Sequence, residues 1–205
     1  MGDNIVIVMV GDSLTEEFRQ LDSRRNPALA ELKSRLKNRN DNFDILNMGK
    51  SGMTSGDWAA TPYWWNEIEK YFRGGDREAR RLAFVMLGTN DCAIGAPKDE
   101  YINNIRKIIN RLKTLDITPV LQTIPPFAAS EAADRVVREY NRGLRELGAE
   151  ERVEILDIYG RFLDDDGNAR EELYDYDMVH LRNEPGLAYD IWLDVLAEFI
   201  TKITT

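Results

Sequence analysis

Ile5-Val-Ile-Val-Met-Val10, followed at once by Gly11-Asp-Ser-Leu-Thr15, decides the reading of this chain. The first six residues are continuously apolar instead of alternating, the pattern of a strand covered on both faces. A tight glycine-containing turn then sets Ser13 just beyond the strand's end. Four further segments read as strands: Phe43-Asp-Ile-Leu-Asn47, Leu82-Ala-Phe-Val-Met-Leu87, Thr118-Pro-Val-Leu-Gln-Thr-Ile124 with Pro125-Pro126 ending it, and Val153-Glu-Ile-Leu-Asp157.

Helical patterns separate them. Asn26-Pro27 supplies a cap and a first-turn proline, opening a helix to about Lys37. A second is expected from Asp57 to Phe72, stopped at Gly74-Gly75. A third, from Asp99 to Leu115, sets Ile102, Ile105, Ile108, Ile109 and Leu112 on one face. Ser130 caps a fourth, to about Leu147. The last runs from about Pro185 to Ile203, with Leu187, Ile191, Val195, Phe199 and Ile203 as a stripe. Five strands alternating with helices predict an α/β fold, an open parallel sheet with helices on both faces, as a single domain over residues 1–205. In such sheets ligands sit at the carboxyl ends of the strands, where strand order reverses.

The chain has 205 residues, 43% hydrophobic and 31% charged, enough to bury a core without disulfide or metal staples. No apolar run approaches a membrane span, and no basic leader or small-residue cleavage site flanks Ile5–Val10, which favours the cytoplasm over a secreted form. Lys plus Arg is 27 against 36 Asp plus Glu, so the net charge of −9 argues against nucleic acid and anionic membrane surfaces as partners. The single cysteine, Cys92, excludes an intramolecular disulfide and a multi-thiolate metal site, and reads as a small buried hydrophobe. The single histidine, His180, must carry any chemistry that needs imidazole.

Four blocks follow the strands: Gly11-Asp12-Ser13-Leu14-Thr15, Asn47-Met48-Gly49-Lys50-Ser51-Gly52, Gly88-Thr89-Asn90-Asp91, and Asp177-Met178-Val179-His180. A serine hydroxyl is a weak nucleophile until a base takes its proton, and that base is most often a histidine held in one tautomer by a carboxylate. Asp177 stands three residues before His180, close enough for one turn to join them, with Asp175 as the fallback. Acyl transfer also needs donors aimed at a developing oxyanion: the N–H of Ser13, the unshielded N–H of Gly49 and the side-chain amide of Asn90 are the candidates. Asp12 and Asp91 read as braces for their loops.

These blocks resemble those of the SGNH (GDSL-type) hydrolases, a family named for Ser, Gly, Asn and His. The matching positions are Ser13 in GDSL, Gly49 in NMGKSG, Asn90 in GTND and His180 in DMVH, and the resemblance spans nearly the whole chain. It implies a flavodoxin-like three-layer α/β/α sandwich with five parallel strands. It also implies a catalytic Ser13, His180 and Asp177, an oxyanion hole of Ser13, Gly49 and Asn90, and no cofactor or metal. Many members have glycine two residues after the GDSL-Thr; here Glu16-Glu17 puts two carboxylates at the mouth of the site.

The implied activity is ester hydrolysis through an acyl-enzyme, on small-molecule esters that include acetylated sugars and lipids. The absence of a long apolar lid leans toward short acyl groups. Carbohydrate acetylesterase, lysophospholipase and thioesterase are the alternatives within the family. A non-catalytic flavodoxin-like module binding a phosphate ligand is the alternative outside it, and no motif fixes the oligomeric state. Trp58, Tyr63, Trp64 and Trp65 cluster after the second block; neighbours on a helix cannot share a face, so at least one aromatic is expected outside the core near the cleft. Three other patterns fail on spacing. Gly49-Lys50-Ser51 has Asp44 where a phosphate loop needs glycine, Gly11-x-Ser13-x-Thr15 lacks the second glycine of a nucleophile elbow, and Asp164-Asp-Asp-Gly-Asn168 lacks a calcium loop's terminal glutamate.

Overall fold

The computed structural model describes residues 4–19, 32, 35–36, 42–73, 79–184 and 187–203. Five parallel strands form one sheet in the order β2-β1-β3-β4-β5: β1 (Asn4–Gly11), β2 (Asn42–Asn47), β3 (Arg80–Met86), β4 (Thr118–Gln122) and β5 (Glu154–Leu156). The chain steps from β1 outward to β2, then crosses back to β3 on β1's other side. Strand order therefore reverses at β1, and the carboxyl ends of β1 and β3 flank the switch point.

The continuous apolar run of β1 is buried on both faces, as its pattern requires. Ile5, Ile7 and Met9 join one core cluster with Phe18, Trp192, Leu196 and Phe199. Val8 and Val10 join the other with Trp58, Ile68, Tyr101, Ile108 and Val137. Two apolar clusters separated by one sheet make the three layers.

The helices differ from expectation in instructive places. The segment 55–73 is two helices, α2 (Ser55–Ala60) and α3 (Pro62–Arg73). Thr61 is extended, at φ −92° and ψ 110°, because the proline ring that follows excludes the helical region for the residue before it. Short helices also start directly after β1, α1 (Ser13–Glu16), and after β3, α4 (Thr89–Ala93). Helix α5 (Lys98–Thr114) buries Tyr101, Ile105, Ile108, Ile109 and Leu112, with Ile102 only partly covered. Ser130 caps α6 (Glu131–Glu151), which continues beyond Leu147 until Arg152 adopts the left-handed conformation.

After β5 comes a turn of helix, α7 (Ile158–Arg161). In α8 (Ala188–Ile203) the buried face is Tyr189, Trp192, Leu193, Leu196, Phe199 and Ile200. Of the expected four-residue stripe, Val195 and Phe199 are buried, while Leu187, Ile191 and Ile203 are only partly buried. Four residues overshoot a 3.6-residue turn, so such a stripe winds off the core-facing side. The helix expected from Asn26 to about Lys37 lies mostly outside the described residues, as does the Pro185 start of the last one. Among the described residues, no helix is long and apolar enough to cross a membrane.

Candidate active site

The site is assembled at the carboxyl ends of β1, β2 and β3. Asp12 caps α1, its Oδ1 accepting the Leu14 N–H at 3.0 Å, so Ser13 occupies the first helical position. Trp58 fixes the turn from below, donating its indole N–H to the Gly11 carbonyl at 3.1 Å. First-turn N–H groups have no intrahelical acceptor. The Ser13 N–H accordingly meets no acceptor among the described residues.

The loop after β5 brings the base. An antiparallel bridge between buried Tyr174 and Leu181 closes it, and the Tyr174 hydroxyl donates to the Pro126 carbonyl at 2.9 Å. Inside the loop, Met178 takes a φ of 58° and donates its N–H to Asp175. Asp177 Oδ1 accepts the N–H groups of Val179 and His180 at 3.0 and 2.9 Å. Its Oδ2 lies 2.6 Å from His180 Nδ1, and His180 Nε2 lies 3.1 Å from Ser13 Oγ. A carboxylate only accepts, so Nδ1 carries the proton and Nε2 of the neutral ring is left to accept from the serine hydroxyl. Asp177, the candidate preferred over Asp175, is the carboxylate in line with the imidazole.

The electrostatics match this geometry. Burial alone raises the carboxyl of Asp177, but the bonds from His180 and the two backbone N–H groups overcome it and hold it at about 2. Burial alone lowers His180; the hydrogen bond and charge of Asp177, with Glu17 and Asp12, overcome it and lift the ring above its ordinary value. Asp12 is 1% exposed, and burial pushes its carboxyl up to about 7. Asp91, braced by the Ser55 N–H and hydroxyl, is also raised by burial. Cys92 is buried, donating to the Ala133 carbonyl at 3.4 Å, and burial raises its thiol.

The two glycines of the second block sit differently. The Gly49 N–H is committed to Asn47 Oδ1 at 2.8 Å, while Asn47 Nδ2 donates to the Thr15 carbonyl at 2.8 Å. A Cβ at Gly49 would stand 2.3 Å from the Glu16 nitrogen, so glycine is needed there for the β2 loop to pack on α1. Gly52 has a φ of +79°, open space at its Cβ position, and no acceptor for its N–H among the described residues. Next to it, the Met53 carbonyl accepts one N–H of the Asn90 amide at 3.0 Å, which leaves the other uncommitted. Gly52 stands two residues before Thr54, which caps α2 with Asp57 in a capping box.

Glu16 accepts from the Ser51 N–H and hydroxyl at 2.7 and 2.5 Å, with Lys50 3.5 Å away, so it ties the same loop to α1. Of the aromatic cluster, Trp58 and Trp65 are core and Trp64 is partly buried. Tyr63, 58% exposed, lines with Trp64, Met48 and Lys70 a groove of about 500 Å³.

The profile of the GDSL-like Lipase/Acylhydrolase family matches residues 9–184, from within β1 to beyond His180. The chain belongs to this family. Among solved structures, a GDSL lipolytic protein from Veillonella parvula is similar at 21% identity and a TM-score of 0.73, covering 97% of this chain and 99% of its own. The acetylxylan esterase Axe2 from Geobacillus stearothermophilus is similar at 18% identity and 0.73, covering 100% and 96%. The α/β hydrolase LAE5, from the metagenome of Lake Arreo, is similar at 17% and 0.74, covering 100% and 99%. No curated protein sequence matches. At these identities the likeness shows the GDSL fold, while the profile shows the family, whose members are acyl hydrolases of the esterase and lipase kind.

Proposed function

We propose that this GDSL-family protein hydrolyses carboxylic esters through an acyl-enzyme on Ser13. The observation that carries the reading is the relay from Asp177 through His180 to Ser13, at 2.6 and 3.1 Å. His180 removes the hydroxyl proton as Ser13 Oγ attacks the ester carbonyl, and Asp177 stabilises the imidazolium so formed. The tetrahedral oxyanion is held by the Ser13 N–H and the uncommitted N–H of Asn90. Because Gly49 already donates to Asn47, Gly52 takes the third position in the proposal. His180 then protonates the leaving alcohol, and a water activated by the same ring releases the acid.

Hydrolysis of p-nitrophenyl esters from acetate to palmitate, with Ser13→Ala beside the wild type, tests this. We expect activity strongest on the short esters and lost in the variant. Activity that survives in Ser13→Ala refutes the serine mechanism.

A narrower substrate reading is an acetylated carbohydrate. Tyr63 and Trp64 meet edge to face at 4.9 Å beside the groove after β2, a surface on which a sugar ring can stack, and one protein of similar fold is an acetylxylan esterase. Acetate release from acetylated xylo-oligosaccharides, weakened in affinity by Trp64→Ala, is the expected result. Unchanged KM in that variant removes the reading.

A further inference from the structure

Glu17 is where the chain departs from the glycine common in the family, and the reaction described above does not use it. It follows α1 directly, four residues after Ser13, so the two side chains share a helical face. Its carboxylate is anchored. The hydroxyl of Tyr189, reaching across from α8, lies 2.9 Å from Glu17 Oε2 and 2.9 Å from the Leu14 carbonyl. Tyr189 is itself immobilised, 3% exposed, edge-on to Phe18 at 4.6 Å and stacked with Trp192. A carboxylate fixed in this way sits one helical turn from Ser13, whose Oγ lies 3.1 Å from His180 Nε2.

We propose that Glu17 is a positioning residue of the reaction: pinned by Tyr189, its carboxylate sets a second negative charge against His180 and stabilises the imidazolium that forms as Ser13 loses its proton. The groups facing the ring come from three elements. Asp177 belongs to its own loop, Asp12 to the turn after β1, and Glu17, whose own carboxyl is raised by burial and by Asp175 and Asp177, to the turn that follows α1. Asp177 is in line with Nδ1, and Asp12 is largely unionised below about pH 7. Glu17 is thus the acidic group that adds most to what Asp177 already does. The inference rests on the serine-hydrolase reading of the site.

Because His180 is the only histidine, its imidazole protons give one unambiguous NMR titration. In Glu17→Gln the midpoint should fall by about one pH unit, the lower end for neighbouring charges because the site is half open to water. The acid limb of kcat/KM should move with it. One unit below the wild-type midpoint, the variant should then retain about a five-fold larger fraction of its own plateau, while the plateau kcat falls and KM is unchanged. Glu17→Asp keeps the charge and should titrate nearer the wild type. Tyr189→Phe, which releases the carboxylate, should shift the midpoint downward by less than Glu17→Gln does. A midpoint unmoved in both Glu17→Gln and Tyr189→Phe overturns the proposal, as does an activity loss equal at every pH. The titration needs no turnover: a wild type that hydrolyses no ester refutes the enzymatic reading, while the histidine midpoint alone decides whether Glu17 acts on His180.

Discussion

Asp12→Asn should remove a pH dependence that the fold itself creates. Asp12 is enclosed, with Oδ1 on the Leu14 N–H and a buried Oδ2 that has no hydrogen-bond partner among the described residues. Burial, opposed by the Leu14 N–H and assisted by Asp91, moves its carboxyl from 3.8 to about 7. The folded state therefore holds a proton that the unfolded chain has lost. The associated stability is complete below about pH 4, declines as the pH rises, and is gone above about pH 7. At about 1.4 kcal/mol per pH unit, the decline amounts to about 4 kcal/mol. Asparagine does not titrate, so the variant loses this slope. Its amide nitrogen takes the place of Oδ2 without an acceptor, at a cost of about 1–3 kcal/mol that is the same at every pH. Urea unfolding of both proteins from about pH 4 to pH 8 is the assay. With a slope of about 2 kcal/mol per molar, the variant's midpoint should gain about 2 M on the wild type across that window. Midpoints that run parallel in pH would refute the reasoning, because Asp12 would then titrate alike in the folded and unfolded chains.

Asp177→Asn keeps an oxygen for the Val179 and His180 N–H groups, so the loop should fold while kcat drops by about a thousand-fold or more; a loss under ten-fold would show that Asp177 does not govern the His180 tautomer. Because Asp177 lifts His180 above 6.5, kcat/KM should rise with pH through a midpoint above that value, and a profile flat from about pH 5 to pH 8 would contradict a histidine base. Gly49→Ala and Gly52→Ala should part company. The first drives a methyl into the Glu16 backbone and should lower stability by about 1–3 kcal/mol, whereas the second meets open space and should cost about 1 kcal/mol while reducing kcat. Thermal unfolding and turnover of the two variants check this pair, and equal behaviour would refute the separate roles.

The sheet was legible because its signal is local. A strand buried on both faces must be apolar throughout, and Ile5–Val10 and Leu82–Leu87 obey that rule. Helix boundaries were less legible where a single residue outweighs the pattern: the stretch 57–72, ended by Gly74-Gly75, reads as one helix, but Pro62 alone forces the break at Thr61. The short helices after β1 and β3 carry no periodicity, being one turn long and held by tertiary contacts such as Trp58 to Gly11. At the site, the pairing of Asp177 with His180 follows from a three-residue spacing and was open to inspection. Which glycine in Asn47–Gly52 keeps a free N–H was not, since it depends on the Asn47 side chain bending back to Gly49. What Glu17 does was equally hidden, because its anchor, Tyr189, lies 172 positions along the chain.

The central claim is that Ser13 is a nucleophile activated by His180. Intact-mass and peptide-mass spectrometry after reaction with a fluorophosphonate test it most directly, since the reagent phosphonylates an activated serine and leaves ordinary hydroxyls untouched. The account predicts one adduct per chain, on the peptide that carries Ser13, absent from Ser13→Ala and greatly slowed in His180→Ala. An adduct on any other residue, or a wild-type protein that cleaves esters yet takes up no label, would contradict it.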